Sequence, residues 1–521
     1  MIPPALEAAI RQRLATLEAA IPLHRAGRMT EAEMRPMRLA LCFHQQADPE
    51  RFMLRVRIPY GEMSAEEAEA IASLAQAGGD ARVLHLTTRQ CLQLHDLRLD
   101  EGAEAVRYLL DHGLATAGSC GNAVRNVAAC ERAGICPDEI ADAAGVAREL
   151  SDALAIHPGH PLPRKFKIAV SGCRTDCACA LMQDAGWVAR SADGPDGPTF
   201  DLWGGGGLGA RPRAAVPLAE GVPASHIVEV TRALVDLFDV EGDRTNRKRA
   251  RLKFVVERLG AEEIRARLHA AVGPLPAPPL RDGTTAHAPR VAPLLGPQRW
   301  FRTNVQPQRD PRRLTCVVTV GEGDIRPAEL RVVADTARRF GSGAVRLTDG
   351  QNLLVLGVPT ASVGSVYQAL RSAGLGRADA GCASDPIACP GRDVCGLAFT
   401  SARTAARAIR ERLVSEETLV AVLGRCKIQV SGCPNGCARH ATAHVGAQGL
   451  VRGAERRPFY RLWRGGVCAA PDAGGRLAEP LPGAVAEEDL AERVVRELRQ
   501  QAVRLGAERE AETEPKAVEE T

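Results

Sequence analysis

The chain repeats itself, and this duplication constrains its fold more than any other feature of the sequence. Lys-Ile-Ala-Val-Ser-Gly-Cys at 167–173 returns as Lys-Ile-Gln-Val-Ser-Gly-Cys at 427–433. Each copy continues with three residues, another cysteine and an alanine. Four cysteines stand at matching positions in each half: Cys130, Cys136, Cys173 and Cys177 in the first, and Cys389, Cys395, Cys433 and Cys437 in the second. Anchors in the same order at a nearly constant offset indicate two related halves.

Each half opens with the same order of elements. Apolar periodicity predicts strand, helix and strand at 52–58, 64–76 and 83–86, and again at 316–320, 327–340 and 344–347. The cysteine-bearing portions follow, with a strand predicted at 166–170 and a helix at 225–238. This order is typical of α+β modules.

The remaining segments have a composition of their own. A proline-rich stretch at 273–299 has few periodic apolar residues and is predicted to be a linker. Residues 1–50 are expected to form an arm or leading helix. The tail at 486–521 is helix-forming and highly charged, and its last dozen residues are predicted to be disordered.

Composition excludes several classes of protein. With 45% hydrophobic and 25% charged residues, the chain matches a globular protein. It holds no stretch of about 18 uncharged apolar residues and no secretory apolar region at its start, so we expect a cytoplasmic protein that does not enter a membrane. A net charge of +4 and the absence of basic blocks with interleaved aromatic residues argue against nucleic-acid binding.

The eight matched cysteines are predicted to be metal ligands. In a reducing compartment, clustered cysteines more often bind metals or carry redox chemistry than form bridges. Four thiolates suit a zinc ion or an iron–sulfur cluster, and the wide pairs, about 40 residues apart, favour the larger cluster. The alternative is that they only fill core space. The other eight cysteines, for example Cys42, Cys91, Cys316 and Cys468, are interpreted as ordinary buried thiols.

Two lysines stand out because lysine is rare in this chain. Only six of the 67 basic residues are lysines, and Lys165 and Lys167 lie two apart in the extended run Lys-Phe-Lys-Ile-Ala-Val. Strand periodicity directs both ammonium groups to one face and Phe166 to the other. Two such charges repel each other unless an anion lies nearby. The pair therefore indicates an anion site, the alternative being a solvated strand end.

Two other motifs are weak. Gly204–Gly209 satisfies G-x-G-x-x-G, but Ala-Arg-Pro-Arg follows and no helix is predicted there, so it is not a dinucleotide fingerprint. His440 and His444 lie four apart, and a solvent-facing or core position is favoured over a role as ligands.

The motifs together resemble those of a known family. Ala-Cys-Pro-Gly-Arg-Asp-Val-Cys at 388–395 and Ser-Gly-Cys-Pro-Asn-Gly-Cys at 431–437 are similar to the signature of the ferredoxin-type sulfite and nitrite reductases that use sirohaem and a [4Fe–4S] cluster. In the first half, Thr-Thr-Arg-Gln at 87–90, Val-Arg-Asn-Val at 124–127 and Leu-Pro-Arg-Lys-Phe-Lys at 162–167 resemble that family's substrate-side motifs. The resemblance covers residues 50–470.

The resemblance implies a fold in the α+β and α/β classes with pseudo-two-fold symmetry. Two ferredoxin-like half-domains would pack together while two α/β domains clasp one sirohaem and one cluster. The implied boundaries are an arm at 1–50, half-domain 1 at 51–120, an anion-side domain at 121–272, the linker at 273–299, half-domain 2 at 300–378, a cluster domain at 379–485 and the tail at 486–521.

The resemblance also implies site residues. The cluster ligands would be Cys389, Cys395, Cys433 and Cys437, with Cys437 also ligating the sirohaem iron. Further cofactor-binding residues would be Asn435, Gln351 and Asn352. The catalytic cations would be Arg89, Arg125, Lys165 and Lys167. Such groups hold an oxyanion and supply protons to it.

The two halves differ in this equipment. Gly350 stands where the first half has Arg89, and Arg425 where it has Lys165, so only Lys427 persists. One catalytic haem is therefore expected. The family's typical first half has lost its cysteines, whereas here Cys130, Cys136, Cys173 and Cys177 remain. Either they hold a second [4Fe–4S] cluster or they are ancestral remnants in the core.

The resemblance implies an enzyme that reduces sulfite to sulfide with six electrons, or nitrite to ammonia at the same site. Because no flavin or nicotinamide motif is present, a ferredoxin or a separate flavoprotein would deliver the electrons. Two other interpretations stay open. One is a precorrin-3B synthase-like tetrapyrrole enzyme, against which the four cations argue, and the other is an iron–sulfur electron carrier without haem.

Overall fold

The fold is given by a computed structural model that describes residues 2–79, 82–156, 161–194, 196–275, 297–470 and 474–513. Most of the predicted linker, residues 276–296, lies outside the described residues, and so does the end of the predicted tail, residues 514–521. Among the helices of the described residues, none is both long and apolar enough to cross a membrane.

The first half alternates helices and strands. In chain order they are α1 (Pro4–Arg25), α2 (Glu31–Ala40), β1 (Phe43–Gln45), β2 (Phe52–Val56), β3 (Glu62–Ser64), α3 (Ala65–Ala77), β4 (Leu84–Leu86), β5 (Leu92–Leu97), α4 (Leu99–Asp111), β6 (Ala128–Ala129), α5 (Ala143–Ala153), β7 (Ile168–Ser171), β8 (Ala185–Gly194), β9 (Gly197–Gly204), β10 (Val216–Pro223), α6 (Ile227–Glu241), α7 (Leu252–Leu259) and α8 (Ala261–Val272).

The second half follows the same plan. Its elements are α9 (Pro297–Asn304), β11 (Val305–Pro307), β12 (Arg313–Val318), β13 (Asp324–Ile325), α10 (Pro327–Phe340), β14 (Ala344–Leu347), β15 (Leu353–Pro359), α11 (Val363–Ser372), β16 (Ile387–Ala388), α12 (Ala402–Val414), α13 (Glu417–Leu423), β17 (Ile428–Ser431), β18 (Val445–Arg452), β19 (Arg457–Arg464), β20 (Glu479–Pro480), β21 (Val485–Ala486) and α14 (Leu490–Thr513). The strand–helix–strand order predicted for both halves is confirmed.

Local sequence explains why these elements begin where they do. At the start of α3, Ser64 Oγ accepts a hydrogen bond from the Glu67 amide at 3.1 Å. The Glu67 carboxylate accepts one from the Ser64 amide at 2.8 Å. This reciprocal cap satisfies two amides that a helix terminus leaves unpaired. The strand β2 alternates buried and half-buried side chains, as its apolar periodicity predicts.

Two of the four sheets exchange strands between the halves. One has the order β1-β2-β5-β4-β13 and the other β11-β12-β15-β14-β3, so each takes its last strand from the opposite half. The helices α3 and α10 pack against each other, and one continuous hydrophobic core runs through both modules. The strand β1 extends the first sheet into the segment that the sequence suggests is an arm.

The other two sheets carry the cysteines. Their orders are β10-β9-β8-β7-β6 and β16-β17-β18-β19-β20, each with a separate hydrophobic core. Within them β6 and β7, like β16 and β17, pair in parallel. Because parallel strands end at one edge of a sheet, the cysteines that follow them lie close together. In the described residues no helix begins directly after Gly204–Gly209, as the sequence predicts.

Candidate active site between the two halves

The second-half cysteines lie in two turns at the ends of β16 and β17. The backbone amide of Gly432 donates to Cys389 Sγ at 3.1 Å, which ties the two turns together. Asn435 donates hydrogen bonds to Cys433 that lower the pKa of this thiol, against the larger effect of burial. Amide groups aimed at sulfur stabilise thiolate and shape the electronics of a bound cluster.

The four sulfurs converge on Cys437. Burial raises the pKa of Cys389 to about 12 and that of Cys433 to about 11, and the negative charge of Cys437 adds to both shifts. Burial also raises the pKa of Cys395, with a further contribution from Cys437. Three of the thiols are buried or half-buried, whereas Cys437 is exposed. Thiols with raised pKa values lose their protons when a positively charged metal centre binds to them.

Cations from the first half gather beside Cys437. The bridge between Val124 and Phe166 is parallel, and the Arg125 amide donates to the Phe166 carbonyl at 2.8 Å, which sets Arg125 beside Lys165 and Lys167. Phe166 is fully buried while both lysines are half-buried, so the predicted division of faces is confirmed.

The arginine side chains are held by neutral groups. Arg89 donates to the carbonyls of Asn126 and Ile168 at 2.5 and 3.2 Å. Arg125 donates to the carbonyls of Ser119 and Gly121 at 2.8 to 3.0 Å. These carbonyls fix both guanidinium groups without cancelling their charge.

The lysines are not compensated by carboxylates. Within the part of the chain that the structure describes, neither ammonium group has a hydrogen bond or an ion pair. Burial and, to a smaller extent, the charges of Arg251 and Arg125 together lower the pKa of Lys165 to about 7, against a raising effect of Cys437. Burial, Arg89 and Lys165 lower the pKa of Lys167 well below its ordinary value. The site therefore concentrates positive charge that an anion would relieve.

Sequence reasoning missed two further cations, Arg55 and Arg251. Arg251 donates to both carboxylate oxygens of Asp184 at 2.8 and 3.1 Å, and so brings an acid to the edge of the site. Among the described residues, the buried Nε atoms of Arg55 and Arg89 have no hydrogen-bond partner. The alternation in Phe-Met-Leu-Arg-Val-Arg-Ile, with an arginine on the strand, was the available signal for Arg55.

One loop joins the cations to the cysteine turn. Thr88, in the loop between β4 and β5, donates from Oγ1 to the carbonyl of Cys437 at 2.8 Å. This contact fixes Arg89, the next residue, opposite the second-half turn. The site is therefore composite, with cations from one half and thiols from the other.

Gln351 and Asn352 make protein contacts. The Gln351 amide donates to the Leu86 carbonyl at 2.7 Å and accepts from the Ala388 amide at 2.8 Å. Asn352 donates to Asp385 at 2.7 Å. Both amides brace the chain next to Cys389, and their predicted contact with a cofactor stays a prediction.

The duplication gives the cation site an equivalent, here called the mirror position, which is the region around Lys427 in the second half. Paired charges fill this mirror position. Arg439 forms an ion pair with Asp349 at 2.6 Å. Burial raises the pKa of Glu131, Asp349 adds to this, and Lys427 opposes it, so the acids and Lys427 face each other there. This neutralisation explains physically why only one of the two related positions is strongly cationic.

One cysteine prediction is wrong. Cys468, interpreted as an ordinary buried thiol, forms a disulfide with Cys179, 289 residues away in the sequence. The two residues lie in a small cluster between the halves with Met182, Leu208 and Ala441. His440 is buried, in contact with Trp463, as a core position predicts.

The residues fit the cofactors that the family resemblance implies. Sirohaem carries several carboxylates, and the unpaired Nε donors of Arg55 and Arg89 and the free ammonium groups supply matching positive charge. In the described residues no three His, Cys, Asp or Glu side chains form a site for a single metal ion. Four converging thiols without such a site suit a larger cluster.

Comparison with known proteins identifies related domains in both halves of the chain. The family model described as the nitrite and sulphite reductase 4Fe-4S domain matches residues 120–273. The nitrite/sulfite reductase ferredoxin-like half domain matches residues 44–112 and again 306–373.

Individual relatives cover most of the chain. It is 30% identical over 414 residues to the ferredoxin–nitrite reductase of Synechococcus elongatus, which covers 78% of each chain. It is 31% identical over 409 residues to the ferredoxin sulfite reductase of Mycobacterium tuberculosis, covering 77% of this chain and 70% of that one. The solved structure of Mycobacterium tuberculosis NirA superposes with a TM-score of 0.80 at 24% identity, covering 95% and 93% of the two chains.

The chain belongs to the nitrite and sulfite reductase family. It is an oxidoreductase with the duplicated fold of that family, and the predicted fold class is confirmed. Membership of this family implies an iron–sulfur cluster together with sirohaem.

Proposed function

We propose that this chain reduces sulfite to sulfide, taking six electrons from an external donor. Six electrons and seven protons convert sulfite into hydrosulfide and three waters, so the site must hold an oxyanion and deliver protons to it. The observation that carries this proposal is the set of first-half cations, uncompensated by carboxylates, that faces the exposed thiol of Cys437.

In this proposal the second-half cysteines Cys389, Cys395, Cys433 and Cys437 hold one [4Fe–4S] cluster. Cys437 would also hold the sirohaem iron, and its exposure supports this role. Once bound, the two cofactors would supply the electrons for reduction of the anion. Asn435 stabilises the Cys433 thiolate, while Gln351 and Asn352 position the turn that carries Cys389.

The arginines orient the anion. Arg89 and Arg125 are fixed by backbone carbonyls before any ligand arrives, so little conformational entropy is lost when they bind oxygen atoms. The planar guanidinium groups suit two oxygens of one oxyanion. They hold the anion on the cationic side of the site, which faces the Cys437 turn.

The lysines supply protons. With a pKa of about 7, Lys165 gives up and regains a proton readily near neutral pH, which is the property of an effective general acid. Burial, Arg89 and Lys165 also lower the pKa of Lys167 well below its ordinary value, so a bound anion favours its protonated form. Binding of the anion loads both donors with the protons that the reaction consumes.

Charge favours sulfite over nitrite. Sulfite has three oxygens and carries up to two negative charges near neutral pH, whereas nitrite has two oxygens and one charge. Four cations without carboxylate partners match the dianion better. Nitrite reduction to ammonia is the second candidate, since the Synechococcus relative is named a ferredoxin–nitrite reductase.

Ferredoxin is the proposed electron donor. Both relatives carry it in their names, and the described residues at the Gly204–Gly209 segment do not form a dinucleotide-binding helix. The cations of the site argue against the alternative of an iron–sulfur electron carrier without haem, because such a protein binds no anionic substrate.

Steady-state kinetics with reduced methyl viologen test the proposal. The holoenzyme is expected to turn over both anions, with a higher kcat/KM for sulfite. A higher kcat/KM for nitrite would make the second candidate the correct one. Failure to reduce either anion, in protein that contains sirohaem, would refute the proposed function.

A further inference from the structure

We infer that the first half holds a second [4Fe–4S] cluster, which the proposed function does not require. The four first-half cysteines line one pocket. The residues around it are Cys130, Cys136, Cys173 and Cys177, with Glu131, Arg132, Glu139 and Gly172. Four thiols that share one pocket are the ligand set of a cubane cluster.

The first sulfur is held as in the other half. The backbone amide of Gly172 donates to Cys130 Sγ at 3.3 Å. The equivalent amide of Gly432 donates to Cys389 Sγ at 3.1 Å. The contact that tunes the thiolate of the proposed second-half cluster is therefore present in the first half as well.

The turn between the last two cysteines is also the same. The Asp176 amide donates to the Cys173 carbonyl at 3.2 Å, as the Gly436 amide does to the Cys433 carbonyl at 3.4 Å. Asp176 and Gly436 both have positive φ angles, of 47° and 66°. A left-handed non-glycine residue is disfavoured, so the first half keeps this turn although its glycine has been replaced.

The turn that carries Cys136 also matches its equivalent in the second half. The Cys136 amide donates to the Arg132 carbonyl at 2.9 Å, and the Cys395 amide donates to the Gly391 carbonyl at the same distance. The backbone around the four first-half cysteines therefore has the same hydrogen bonds as the backbone around the four proposed ligands of the second half.

The charges around the pocket suit a cluster. Four thiolates give a [4Fe–4S] centre a net negative charge. Arg132 and Lys427 offset this charge, and Glu131 opposes them. The Glu139 carboxylate accepts hydrogen bonds from the Gly134 and Ala143 amides and pairs with Arg309. The negative charge of Glu139 is therefore balanced by these partners and does not repel a bound cluster.

Other uses of these cysteines fit less well. Over the described ranges there is no group of three ligands for a single ion, which disfavours zinc. The Cys130 and Cys177 side chains contact each other, but the four cysteines still line a pocket, which cysteines that served only to fill the core would not leave. A second sirohaem is excluded near Cys177 because Lys427 and the ion pair of Arg439 and Asp349 occupy the mirror position.

Iron and acid-labile sulfide analysis of the anaerobically purified holoenzyme tests the inference. We expect about eight non-haem irons and eight sulfides per chain. The paired variant Cys130→Ser and Cys136→Ser should lose about half of both and keep the sirohaem absorbance. The matched control Cys316→Ala, at a buried thiol of β12, should keep the full iron content.

Each outcome decides the matter. About four non-haem irons per wild-type chain, or zinc in place of iron, would overturn the inference even if the paired variant failed to fold. Eight irons without turnover of sulfite or nitrite would leave this site standing and refute the proposed function. Turnover of either anion by protein with only four non-haem irons would refute the second cluster and leave the proposed function standing.

Discussion

Single residues decide which half carries the lysines without ion-pair partners. Lys165 and Lys167 could be predicted from the sequence because strand alternation alone places them together, and the structure confirms this. Arg251 could not, because it comes from a segment about 80 residues further on, and only the folded chain brings it to the site. A contact between distant segments leaves no repeating pattern in the sequence around either residue.

We predict that Lys167→Met lowers kcat/KM for sulfite about a hundredfold, because one cation and proton donor is lost. The absorption spectrum should not change, since the thiols are untouched. Steady-state kinetics measure the effect. Lys427→Met is the matched control at the mirror position and should stay within about twofold of wild type. An unaltered kcat/KM in Lys167→Met would show that the residue is only structural.

A second residue governs the response of stability to acid. Burial lowers the pKa of His95 to about 3, with further lowering by His85 and Arg403. Below its ordinary pKa of about 6.5, the unfolded chain binds a proton here that the folded chain does not. Stability is therefore full above pH 6.5 and is lost as the pH falls towards 3.

We predict that this residue costs about 2 kcal/mol of unfolding free energy between pH 7 and pH 5. His95→Gln keeps a polar side chain without a titrating group, so it should reduce the acid sensitivity by that amount. Thermal unfolding of both proteins at the two pH values measures the difference. Equal losses of stability would contradict the assignment.

At the scale of elements, turns and loops between strands build the site. The cysteine turns could be predicted from the repeated motif, because each motif follows an apolar strand. The loop between β4 and β5 was recognised only by its resemblance, since the contact of Thr88 with Cys437 spans 349 residues. No sequence spacing encodes such a contact.

We predict that Thr88→Val raises KM for the anion several-fold, because losing the hydrogen bond to the Cys437 carbonyl frees the loop that carries Arg89. Iron content and sirohaem absorbance should be retained. Thr88→Ser keeps the hydroxyl and should behave as wild type. Identical kinetics in the valine variant would mean that the contact does not position Arg89.

At the scale of the molecule, the duplication sets the architecture. The repeat predicts two halves, but it does not predict that β3 and β13 are exchanged between sheets or that both ferredoxin-like modules share one core. The disulfide between Cys179 and Cys468 escaped prediction for a similar reason, because nothing near either cysteine marks its partner.

We predict that replacing Cys179 and Cys468 together with alanine lowers the unfolding free energy by about 2 to 4 kcal/mol, because the bridge closes a long loop in the unfolded chain. Thermal unfolding without reductant measures the loss. The gap from wild type should close when both proteins are unfolded with excess dithiothreitol. A gap that persists under reduction would assign the effect to packing.

The central claim is that one composite site forms between the halves, with cations on one side and Cys437 on the other. Extraction and quantification of sirohaem from protein purified with its full iron complement test it most directly. The account predicts one sirohaem per chain, because paired charges close the mirror position. Two per chain, or none, would contradict it.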